Sequence, residues 1–75
     1  MAGLLIVDVR DMQCSQALAT AAQAMQHSTR GETLELTCNA EDVRRDLVAW
    51  AAHMGHRLLS DQACDGDIRL TIQKH

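Results

Sequence analysis

The chain has no phenylalanine, no tyrosine and no proline, and its one tryptophan is Trp50. A core must therefore be assembled from Leu, Ile, Val, Ala and Met around Trp50. Base stacking on aromatic side chains, the usual means of holding single-stranded nucleic acid, has almost nothing to work with. The net charge is −3 with Lys and Arg scattered along the chain, which argues against direct nucleic-acid binding. No apolar run approaches the roughly 20 residues that cross a bilayer, so no membrane span is expected. The start Met1-Ala2-Gly3-Leu4 lacks a basic flank and a small-residue cleavage site. No signal peptide is read there, and a cytoplasmic protein is the expectation.

Cysteine is odd in number and unpaired: Cys14, Cys38 and Cys64 form no CxxC, so a disulfide framework is not expected. His27, His53 and His56 add borderline metal ligands, but no local spacing brings two of these residues together, and His53 and His56 straddle Gly55. No metal site is expected. What remains is one domain over residues 1–75, near the lower limit for folding on a single core without metal or disulfide help. No repeat, linker or low-complexity tract divides it.

Leu4 to Val9 is a short run rich in branched apolar residues and reads as a buried strand. Leu18, Ala21, Ala22 and Met25 then mark one face of a helix, with Ser15 in position to cap it. Arg30-Gly31 supplies a turn. Leu34, Leu36 and Cys38 alternate with Glu35 and Thr37 as a half-buried strand. Asn39 is placed to cap a second helix, with Glu41 and Asp42 in its first turn, where the helix dipole favours anions. That helix carries the apolar stripe Val43, Leu47, Trp50, Ala51 and Met54, and Gly55 is its C-cap. His56 to Ser60 reads as a third strand. Ile68, Leu70 and Ile72, alternating with Arg69 and Thr71, read as a fourth. Between them Asp65-Gly66 is a hairpin signal. The order β-α-β-α-β-β predicts an α/β two-layer sandwich, a four-stranded mixed sheet with two helices on one face.

The chemistry centres on Cys14, which falls between the first strand and the first helix. A helix start leaves N–H groups unpaired and its dipole positive, a setting that lowers a thiol pKa and frees the thiolate as a nucleophile. The alternative is that Cys14 is a small buried apolar residue, as free cysteines often are. Cys38 continues the inward alternation of Leu34 and Leu36 and reads as core. Cys64, just before Asp65-Gly66, reads as an incidental exposed thiol. Arg44 and Arg45 follow Glu41 and Asp42 at helical spacing, the pattern of a salt-bridged solvated face; the other reading makes them a docking surface beside the Cys14 turn. The Trp50 stripe reads as core.

The stretch Val7-Asp8-Val9-Arg10-Asp11-Met12-Gln13-Cys14-Ser15-Gln16-Ala17 resembles the motif of the TusA-like (SirA-like) family of small sulfur carriers. In that family a strand ends in Leu-Asp, turns at a Gly and opens its first helix with Cys-Pro-x-Pro. Later landmarks are similar too: Gly31-Glu32-Thr33-Leu34, Arg45-Asp46-Leu47, Trp50, Gly55-His56-Arg57-Leu58-Leu59 and Ile72-Gln73-Lys74. The chain departs from the pattern at the motif itself. Ser15 and Ala17 replace the two prolines that preset the first helical turn, and Asp11 replaces the turn glycine. Ser15, however, keeps an N–H that a proline lacks, available to a thiolate or persulfide on Cys14.

The resemblance implies a sulfurtransferase or sulfur carrier in which Cys14 accepts and passes on persulfide sulfur, with Ser15, Asp11 and Gln13 shaping its turn and Arg45 and Arg44 available for docking. It implies a protein sulfur donor, such as a cysteine desulfurase or a rhodanese-like protein, and a protein acceptor, in routes such as tRNA thiolation, cofactor sulfuration or sulfur oxidation. It implies no metal or organic cofactor, and a monomer. The altered motif supports a second reading: a degenerate relative serving as a binding or regulatory module in a sulfur-handling or redox assembly.

Overall fold

The computed structural model describes residues 3–75; Met1 and Ala2, which carry part of the argument against a leader, lie outside them. Its elements run β1 (Leu4–Asp8), α1 (Cys14–Gln26), β2 (Thr33–Cys38), α2 (Glu41–His53), β3 (Arg57–Cys64) and β4 (Asp67–Gln73). They form one sheet in the order β1-β2-β4-β3. β1 pairs parallel to β2, and β4 runs antiparallel to both β2 and β3. The fold is the expected α/β two-layer sandwich.

The period-2 pattern decides which face is covered. Leu34, Leu36 and Cys38 of β2 stand opposite Ile72, Leu70 and Ile68 of β4, and all six are buried. Their neighbours Glu35, Thr37, Arg69 and Thr71 line the other face, where Arg69 Nε reaches Glu35 Oε1 at 3.0 Å. α1 buries Ala17, Ala21 and Met25, and α2 buries Val43, Leu47 and Ala51. Both sets follow an i, i+4, i+8 rhythm, one stripe down each helix. β1, β2 and β3 run the same way, so both helices return antiparallel to them and begin at the same end of the sheet. That shared end is where Cys14 lies.

Several elements differ from the sequence reading. β1 is an edge strand, not a buried one: Leu4 and Ile6 are 60% and 66% exposed, because it pairs on one side only and these two residues sit on the bare face of the sheet. β3 extends past Ser60 to Cys64, leaving Asp65-Gly66 alone as the turn. Its alternation is hidden by an irregularity between Leu58 and Ser60 that leaves Leu59 without a partner in the register. Asp65 and Gly66 both take positive φ, the requirement of the tight hairpin turn that the dipeptide signals.

The buried stripe of α1 is rotated by one residue from the expected one, so Leu18 and Ala22 lie half-buried at its margin. On α2, Trp50 is half-buried and Met54 is exposed, because Val43, Leu47 and Ala51 take the central stripe. Trp50 packs at the edge of the core and stands 5.7 Å from the His56 ring. Gly55 closes α2 as expected. Its N–H donates to Ala52 O at 3.1 Å and the His56 N–H to Ala51 O at 2.9 Å, the paired bonds of a Schellman end with Gly55 left-handed at φ 78°. None of the helices among the described residues is long and apolar enough to cross a membrane.

Candidate functional site

The β1–α1 turn is anchored at each step. The Val9 N–H donates to Thr37 O at 2.8 Å, extending the β1–β2 pairing by one residue and burying Val9. Arg10 folds back on Asp8 with bonds of 2.9 and 2.8 Å and reaches Asp67 Oδ2 at 3.3 Å. The Arg10 guanidinium and backbone N–H lower the Asp8 pKa to about 2. Asp11 then takes φ 64°, the left-handed conformation that glycine adopts most easily. Its backbone N–H donates to Asn39 Oδ1 at 3.0 Å and its Oδ1 accepts from Asn39 Nδ2 at 2.8 Å. Asn39 is thus spent on the Asp11 turn and does not cap α2; that position belongs to Ala40, with no side-chain bond.

Cys14 is the first residue of α1. The capping position is Gln13, with extended backbone and no side-chain bond, and its carbonyl accepts the first helical bond from Ala17 at 2.9 Å. Ser15 therefore lies inside the first turn, not at its cap. Gln13 and Ser15 are exposed, and Cys14 is half-buried against the edge of the core. Among the described residues, Cys14, Cys38 and Cys64 are all free thiols: Cys38 is 1% exposed in the core, and Cys64 is an exposed strand end.

The parallel helices bring α2 beside the Cys14 thiol. Sγ donates to Asp42 Oδ2 at 3.6 Å, and Asp46 lies one turn further along α2. Hydrogen bonding to Asp46, then burial, then the charges of Asp42 and Asp46 push the thiol up to about 11. This corrects the expectation of a lowered pKa. Hydrogen bonding to Asp46 and burial favour the protonated thiol, and the charges of Asp42 and Asp46 repel the thiolate. The sequence contained a signal for the pair, two acids at i and i+4 on one helix, but not for what they face.

The charged surface around this end is acidic on balance, with Arg10 offsetting Asp8 and Asp67. Asp8, Asp11, Asp42, Asp46, Asp65 and Asp67 all belong to it, whereas His27, His53, His56 and His75 lie at the other end of the helices. Arg44 is not free for a partner: it donates to Glu41 Oε1 at 2.7 Å and to Asp61 Oδ2 at 2.7 Å. Arg45 is exposed and makes no ion pair within 4 Å among the described residues. No group of three or more metal-ligating side chains is found among the described residues.

A family model described as sulfurtransferase TusA matches residues 5–74. The chain belongs to this family, whose general role is that of sulfurtransferase or sulfur carrier acting with other proteins in sulfur relay. A search of curated proteins finds no match to the chain.

Proposed function

We propose that the protein carries sulfane sulfur between proteins as a persulfide on Cys14. The observation that supports this most is the position of Cys14 at the first residue of α1, with its thiol at the surface of a chain that belongs to a sulfurtransferase family. In the loading step the Cys14 sulfur attacks the outer sulfur of a donor persulfide. The donor S–S bond breaks, the donor cysteine leaves as a thiolate, and it takes up the proton that Cys14 gives up. Discharge reverses the roles: an acceptor nucleophile takes the outer sulfur and Cys14 leaves. The transferred atom stays at the sulfane level throughout, so no external oxidant or reductant enters. Backbone N–H groups of the first turn, that of Ser15 among them, are available to the terminal sulfur. The Asp11 turn sets the angle at which α1 begins, Gln13 borders the thiol, and Arg45 is the cation open to a docking partner.

The test is intact-mass measurement after incubation with a sulfane donor, comparing wild type with Cys14→Ser. A gain of one sulfur that reductant removes, and that Cys14→Ser lacks, is the expected result. No adduct with any of several donors, or an adduct on Cys64 alone, overturns the reading. The raised thiol pKa favours a second reading, a non-catalytic binding module, in which Cys14→Ser leaves partner binding unchanged and no persulfide forms.

A further inference from the structure

The two carboxylates against Cys14 have a consequence for the cargo. We propose that Asp42 and Asp46 act as a latch on the Cys14 sulfur, holding it protonated and unreactive in the free chain, and that a cationic side chain of the docking sulfur donor opens the latch. The inference rests on the carrier reading. It stands on the geometry of α1 and α2: their shared end places Sγ 3.6 Å from Asp42 Oδ2, and Asp46 is the next α2 residue along the same face. Among the residues packed around the thiol, these two carboxylates are the charged groups that act on it.

Both directions of transfer are slowed by the same arrangement. Loading needs a thiolate on Cys14, and with the thiol near 11 the thiolate is rare at neutral pH. Discharge needs Cys14 to depart, and a thiol of high pKa is a poor leaving group. A persulfide held here is therefore protected from small thiols in solution while the carrier travels. Transfer becomes favourable only when positive charge from a partner neutralises Asp42 and Asp46. The acidic character of this end of the molecule suits a cationic partner, and it steers one toward the thiol.

The experiment measures alkylation of Cys14 by iodoacetamide against pH, located by peptide mass spectrometry, in wild type, Asp42→Asn, Asp46→Asn and the double variant. Glu41→Gln is the control, since it removes the same charge from the same helical turn but faces Arg44. Restoring the thiol from about 11 toward its ordinary 9.0 raises the thiolate fraction about 100-fold. The accompanying loss of nucleophilicity reduces this to a net acceleration of about tenfold at neutral pH. The double variant is expected to show that gain with a lower midpoint, and Glu41→Gln is expected to match wild type. Equal rates in wild type and the double variant, or an equal gain in Glu41→Gln, overturn the latch.

Hexalysine is the probe for the opening charge. At low salt it is expected to accelerate wild-type alkylation severalfold and to leave the double variant unchanged, with the effect gone at high salt. No acceleration overturns the cationic-release step. These readouts need no sulfur transfer. A chain that alkylates as expected but takes up no sulfur loses the carrier reading and keeps the latch.

Discussion

Asp11 and Asn39, 28 positions apart, bond each other twice: the Asp11 N–H to Asn39 Oδ1 at 3.0 Å and Asn39 Nδ2 to Asp11 Oδ1 at 2.8 Å. The pair ties the turn before the cysteine to the turn before α2. It also explains how a non-glycine residue holds φ 64°. Asn39→Ala removes both bonds and is expected to destabilise the fold by about 1–2 kcal/mol in urea titrations. Asp11→Gly relieves about 1 kcal/mol of left-handed strain, loses one side-chain bond and keeps the backbone one, so it is expected to lie within about 0.5 kcal/mol of wild type. A large loss for Asp11→Gly would mean that the clasp stabilises more than its bonds suggest.

Lys74 is a second long-range tie. Its Nζ donates to Met25 O at 2.8 Å and to Ser28 O at 2.6 Å, capping the carbonyl end of α1, where the dipole favours a cation. Lys74→Met keeps the aliphatic stem and removes the charge. A loss of about 1–3 kcal/mol is expected, with the earliest gain in amide exchange over the last turn of α1.

Leu47 is fully buried between α2 and the sheet. Leu47→Ala is expected to cost about 2–5 kcal/mol. In a domain this small that is a large share of the whole stability, so the variant should be partly unfolded by circular dichroism at room temperature. Full retention of structure would place the core elsewhere.

Element order and the buried face were legible because periodicity is written in local neighbours: Leu34, Leu36 and Cys38 alternate, and Val43, Leu47 and Ala51 recur by turns. Cys14 stood out by its place between strand and helix. What stayed hidden depends on which elements adjoin. Leu4, Leu5 and Ile6 look like a central strand until pairing makes β1 an edge. Asn39 looks like a cap until Asp11 claims its side chain. Asp42 looks like a dipole-stabilised helix start, and only the parallel packing of α1 and α2 turns it toward a thiol and reverses the sign of the pKa shift. Local chemistry singled out the candidate nucleophile; the carboxylates that raise its pKa come from tertiary contact.

The two edges of the sheet are guarded differently. β3 carries Arg57, Asp61 and an irregular register, whereas β1 offers Leu4 and Ile6 on an open face, and an unguarded edge invites pairing with other chains. Ile6→Thr keeps a branched residue suited to a strand and is expected to change stability by less than about 0.5 kcal/mol. It should raise the concentration at which the protein begins to self-associate in light scattering. An unchanged threshold would show that the β1 edge is not where association starts.

Asp8 gives the acid limb of stability its sign. Its folded pKa of about 2 lies below its ordinary value of 3.8, so folding favours the ionised form. The contribution is present in full above 3.8 and is lost as pH falls through about 2. Because the Asp8–Arg10 pair is exposed, the effect is small, and it is best read as a change in slope. Arg10→Gln removes the guanidinium that holds the shift and frees Asp67 as well. In urea titrations across this range, wild type is expected to lose stability more steeply than Arg10→Gln, and the two curves should converge below pH 2. Parallel curves throughout would show that Arg10 does not hold Asp8 in solution, and that the turn before Cys14 is anchored by Asp11, Asn39 and the backbone alone.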